Sequence, residues 1–132
     1  MNSQLLNKSK LNFASAEYLQ KINHYCSTVH CSYYSTLQLI KHILLYRVGK
    51  SESEISVELN ATNEGSHEYT INQVIKHLKA NNKDWRSVNT DILQLKKLRV
   101  KADYKDIEID FDDGKKSIDL AFTTNKILMQ IA

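Results

Sequence analysis

No proline occurs anywhere in the 132 residues, and the three glycines, Gly49, Gly65 and Gly114, stand far apart. Proline and glycine are the usual punctuation of strands and hairpins, and clustered glycine builds the loops that cradle phosphates. A chain with so few breakers keeps extending its helical hydrogen bonding, so an all-α fold is expected. With 42% apolar residues, a chain of this length can bury one sizeable core. A single helical domain over residues 1–132 is expected.

The apolar residues repeat with helical period. Val29, Tyr33, Leu37, Ile40, Leu44 and Val48 follow steps of three and four, which predicts a central helix stopped by Gly49. A first helix over about 2–23 carries Leu5, Leu6, Phe13, Ala16 and Leu19 on one side, with Leu11, Tyr18 and Ile22 beside them. The polar stretch 49–66, "GKSESEISVELNATNEGS", reads as a long connection with at most one helical turn around Ile55 and Leu59. The next helix carries Ile71, Val74, Ile75 and Leu78, with Ser66, or Thr70 with Gln73, as its cap. A helix from about Asp84 to Tyr104 places Trp85, Val88, Ile92, Leu95 and Ala102 in register, with Arg99 on the same stripe. A last helix, capped by Asp112 or Asp113, has Ile118, Phe122 and Met129 on one stripe and Leu120, Ile127 and Ile131 on another. Together these elements predict an up-and-down bundle of four main helices plus a fifth or short extra helix.

Several function classes lose support. No apolar run reaches the roughly 18 residues of a membrane span, and "MNSQLLNKSK" lacks the apolar segment of a secretory signal, so a cytoplasmic protein off the membrane is expected. Cys26 and Cys31 lie about 140° apart on a helix and are not expected to bridge, which suits a reducing compartment. His24, His30, His42 and His77 show no metal-ligand spacing and read as surface or boundary residues; no metal and no cofactor are expected. Charge is unevenly spread. Residues 76–105 hold nine Lys/Arg against three Asp, while Asp106, Glu108, Asp110, Asp112 and Asp113 follow at once. A basic face of this kind serves either phosphate binding or simple solvation.

Three stretches stand out in order: "HCSYYSTLQLIKHIL" (30–44), "GSHEYTINQVIKHL" (65–78) and "LRVKADYKDIEI" (98–109) before a closing amphipathic helix. They resemble the HEPN domain superfamily, and within it small stand-alone bacterial and archaeal members. Those chains carry a double tyrosine in the second helix, a histidine opening the third, and an Arg…Ala-Asp-Tyr segment ending the fourth. The resemblance spans about residues 5–131. It implies a helical bundle, a homodimer and, in toxin–antitoxin or defence systems, a nucleotidyltransferase-type partner protein. It also implies either metal-independent cleavage of RNA or binding of RNA or a nucleotide without cleavage.

Cleavage in that family needs an arginine followed, after about four to six residues, by a histidine: one steadies the charged phosphorane and the other moves protons. Arg47, Arg86 and Arg99 are followed by no such histidine, and Tyr104 stands where one is expected. An ordinary phenol titrates near 10 and is a poor base at neutral pH. A non-catalytic binding module for nucleotide, RNA or a protein partner is therefore the first expectation, with Arg99, Asp103, Tyr104, Tyr34 and His67 as ligand-binding residues. The second is a metal-independent endoribonuclease with a non-standard site, Arg99 and His67. The third is a purely structural interaction module, in which Tyr33, Arg99 and Asp103 form a polar seam locking two helices; a buried arginine must be paired because its charge cannot be removed.

Overall fold

The computed structural model describes residues 3–132. It contains six α-helices: α1 (Gln4–Lys21), α2 (Tyr25–Ile43), α3 (Glu52–Asn60), α4 (Ser66–Ala80), α5 (Trp85–Tyr104) and α6 (Phe111–Leu128). No strand occurs among the described residues.

The helix α2 packs against α1, α4, α5 and α6 and is the centre of the core. Val29, Tyr33, Leu37, Ile40 and Leu44 are all buried, as their spacing predicts. At its end the helix widens into a π-helical turn over Leu44–Val48. Gly49, at φ +84°, stops it in the left-handed region that side-chain-bearing residues avoid. Space is not the reason for this glycine, since a Cβ there meets nothing within 4 Å.

Small residues bring α1 and α2 together. Ser9 donates to the Ser35 carbonyl at 2.6 Å and Ser35 returns the bond to the Ser9 carbonyl at 2.9 Å. Ser3 caps α1 by accepting from the Leu6 amide, and its hydroxyl lies 2.7 Å from Nδ1 of His42. His42 is thus fully buried rather than a surface or boundary residue. It stands three residues after Leu39 on the inward side of α2, and burial followed by the nearby Arg47 charge holds its imidazole below the ordinary histidine range.

Four expectations about boundaries and faces change. The connection 49–66 contains the nine-residue α3, opened by a capping box in which Ser51 accepts from the Glu54 amide and Glu54 accepts from the Ser51 amide. Ile55 anchors it in the core, and Lys50 and Tyr69 both donate to Glu58. The cap position of α4 is Gly65, not Ser66 or Thr70, and no side chain caps it. For α6 the cap is Asp110, two or three residues earlier than expected, with Asp113 completing the box. The buried side of α6 is Gly114, Ser117, Ala121, Thr124 and Leu128. Phe122 and Met129 are exposed instead, because α6 lies close to α2 and only small residues fit between them. Polar bonds tie that contact: Ser117 donates to Ser32 at 3.1 Å and Thr36 to Asn125 at 2.9 Å.

Candidate functional site

The last turns of α5 carry Arg99 to the outward edge of α2, where three helices converge. The Arg99 side chain is only 13% exposed, so its charge needs partners. Nε donates to Oδ2 of Asp103 at 3.1 Å, one helical turn on. Nη2 donates to the hydroxyls of Tyr34 at 2.9 Å and of Tyr104 at 3.2 Å. The guanidinium carbon lies 5.4 Å from the ring centre of Tyr33, 5.5 Å from Tyr34 and 5.1 Å from Tyr104. Burial alone lowers the guanidinium's pKa, but the surrounding Tyr34, Tyr104, Asp103 and Tyr33 outweigh it and hold the group above its ordinary value.

A guanidinium has five N–H donors. Three are engaged in this cluster, and neither N–H of Nη1 meets a protein acceptor among the described residues. The result is a fixed cation with one free edge. A phosphate oxygen is the natural complement, since charge-assisted bonds from a planar fork are the strong ones.

The tyrosine pair divides as α2 geometry requires. Successive residues point about 100° apart on a helix. Tyr33 faces inward and is fully buried, while Tyr34 is half-buried beside Arg99. The Tyr33 hydroxyl lies 3.0 Å from Nδ1 of His67, which α4 supplies from its first turn. Burial first, opposed by Arg99 and helped by Tyr34, pushes the Tyr33 phenol up to about 12, so it stays protonated. A buried phenol with one acceptor in reach must donate to it, which places the imidazole proton of His67 on Nε2. Burial, then the charges of Arg99 and Lys96, holds His67 below the ordinary histidine range. His67 is therefore a neutral imidazole whose lone pair is already taken.

All five residues expected to bind ligand, Arg99, Asp103, Tyr104, Tyr34 and His67, meet in one cluster with Tyr33. His30, expected only as a surface or boundary residue, joins them. Its Nδ1 lies 2.9 Å from Oδ2 and 3.2 Å from Oδ1 of Asp103, and its ring lies 4.7 Å from that of Tyr34. The clue was present in the spacing: His30 is one turn before Tyr34 on α2 and shares its face. The His30 side chain is 50% exposed, so Nε2 is presented at the rim. Arg99 and His30 thus share the Asp103 carboxylate, both meeting its Oδ2.

Tyr34 and His67 also belong to a cavity of about 440 Å³ between α2, α3 and α4, walled by Leu37, Ile55 and Leu59 with Lys41 at its edge. Gln38, Glu52, Ser66 and Thr70 also line it, and a hollow of such mixed lining beside a cation suits a ligand with a flat part that carries polar edges and an anionic part. Among the described residues no group of three or more His, Cys, Asp or Glu side chains is placed to hold a metal ion. Cys26 and Cys31 are free thiols, and no described helix is long and apolar enough to cross a membrane.

No protein-family model matches this chain, and neither a curated protein nor a solved structure does.

Proposed function

We propose that this chain is a HEPN-like helical bundle, with α1, α2, α5 and α6 as its four main helices, that binds a nucleotide or RNA without cleaving it. Arg99 receives the phosphate through Nη1. Tyr34 and His67 border the base in the adjoining cavity, and Tyr104 closes the outer side. The observation that carries this assignment is the free edge of a guanidinium already held by a carboxylate and two phenols. Such a group loses little conformational freedom on binding, so more of each new bond appears as affinity. A homodimer and a nucleotidyltransferase-type partner belong to the same proposal through the family resemblance, as does a place in a toxin–antitoxin or defence system.

His67 supports the non-cleaving assignment, because a lone pair that accepts from Tyr33 is not free to take a proton from a substrate hydroxyl. One observation favours a ribonuclease as a second assignment. Asp103 orients His30 through Nδ1, leaving Nε2 as a candidate base near Arg99. Under that assignment His30, not His67, moves the proton.

The deciding experiment compares purified wild type, Arg99→Met and His30→Gln for binding and cleavage of RNA, and for binding of nucleoside monophosphates, in EDTA at two salt concentrations. Binding without cleavage, lost in Arg99→Met and kept in His30→Gln, is expected. Cleavage abolished in His30→Gln establishes the second assignment. Absence of binding and of cleavage in wild type leaves only the structural role of the Tyr33, Arg99 and Asp103 seam.

A further inference from the structure

The outward face of α5 carries a second feature, apart from Arg99. Leu93, Val100 and Ile107 line a groove of about 460 Å³, and Lys96, Lys97, Lys101 and Lys105 surround it. Leu93 is 52% and Ile107 56% exposed, so the floor is unpartnered apolar surface. No acidic residue lines it. Lys101 is paired with Asp113 at 3.3 Å, but Lys96, Lys97 and Lys105 have no ion-pair partner among the described residues.

We infer that this groove docks a short acidic amphipathic helix of a partner protein. Leu93 to Lys105 spans about 18 Å of helix, the length of about three turns in a partner. A helix laid along it would place apolar residues about seven apart, roughly 10.5 Å, on Leu93 and Val100 and a further one beyond them at Ile107, with Asp or Glu on both flanks against the lysines. Nucleic acid fits less well, because phosphates satisfy lysines but gain nothing from an apolar floor. An anionic bilayer fits less well too. Exposed Asp106 and Glu108 flank Ile107, and Asp110 and Asp112 follow, so a broad negative surface would be repelled at that end, where a short segment can set its acids against Lys96, Lys97 and Lys101 and meet Ile107 with an apolar residue alone.

The test is a display selection of helical peptides of about 16 residues on the full wild-type chain, counter-selected on the Lys97→Glu/Lys105→Glu variant. Enrichment of acidic sequences with apolar residues at helical spacing is expected. The best synthetic peptide should lose at least about 30-fold in affinity against Leu93→Ser and against Lys97→Glu, weaken with salt, and be indifferent to Lys115→Glu on α6. All four positions are at the surface, and unchanged thermal melts exclude misfolding as the cause. Four results would overturn the inference: no groove-dependent enrichment; enrichment of basic or uncharged peptides; Lys97-dependent binding of phosphatidylglycerol vesicles or single-stranded RNA tighter than any peptide; or self-association of the chain abolished by the same substitutions.

Discussion

Replacing Arg99 by methionine separates what the cluster does for the fold from what it does for a ligand. The substitution removes three bonds from a charged donor, to Asp103, Tyr34 and Tyr104, each worth about 1.5–3 kcal/mol before solvent and neighbouring groups replace it. Much of this is recovered. Tyr104 is 68% exposed, so its hydroxyl returns to water, and Asp103 keeps His30. Methionine refills the volume of the arginine stem against the Tyr33 and Tyr34 rings, with a favourable sulfur–aromatic contact. The net loss should be about 1–2 kcal/mol, a drop in melting temperature of about 3–8 °C for a chain of this size.

Urea and thermal melts measure that loss, and RNA or nucleotide titration is run on the same preparations. Affinity should fall at least about tenfold, since the ligand loses a charged fork and meets an apolar methyl. Arg99→Lys should fall between, because it keeps the charge without the planar fork. A stability loss above about 4 kcal/mol would refute the reasoning, since losses that large mark a buried polar network whose partners are left stranded. Unchanged affinity in a folded Arg99→Met protein would refute it equally.

Leu95 is fully buried on α5, and Leu95→Ala should cost about 2–5 kcal/mol in urea melts; a cost below 1 kcal/mol would place α5 outside the core. Asp110→Ala removes the cap of α6 and should cost about 1 kcal/mol, with Asp110→Asn recovering most of it because asparagine accepts the same amide bond. His42 and His67 both titrate below the ordinary histidine range in the fold, so the unfolded chain takes up protons first. Stability is therefore complete above the unfolded histidine pKa of about 6.5 and declines as pH falls through it towards the lower folded values. Melts across pH 7.5 to 5 should show the decline, and the unchanged slope of a folded His42→Gln variant would assign it to other groups.

The helical class and the burial of α2 were legible because a fully surrounded helix must show its period in apolar residues. Helix α6 was misread for the complementary reason. Where two helices approach closely the contact is made of Gly114, Ser117, Ala121 and Thr124, and the large residues Phe122 and Met129 are displaced outward. Periodicity of size then points to the wrong face. Helix α3 was under-read because its polar composition masked a capping box, "SESE", that can be found by motif alone. At the candidate site, residues on one helix could be grouped by spacing, which gave Arg99, Asp103 and Tyr104. His30 joins them only across the α2–α5 interface, and one sequence carries no signal for which face of α2 meets which face of α5.

The seam and the proposed site are not alternatives in this geometry, because α2 supplies the residues of both from adjacent positions. Tyr33 turns inward, fills the core, fixes the tautomer of His67 and lies beneath the guanidinium of Arg99. Tyr34, about 100° around the helix, binds the same guanidinium from the outer side and walls the neighbouring cavity. A shift of α2 by one residue would reverse these tasks, putting one phenol in solvent and stranding the other away from Arg99. The buried pattern of Val29, Leu37, Ile40 and Leu44 forbids that shift, since it would expose the whole core face of the helix. The packing that stabilises the fold is thus also what holds the free edge of Arg99 in place, and that rigidity is the physical basis for expecting it to bind.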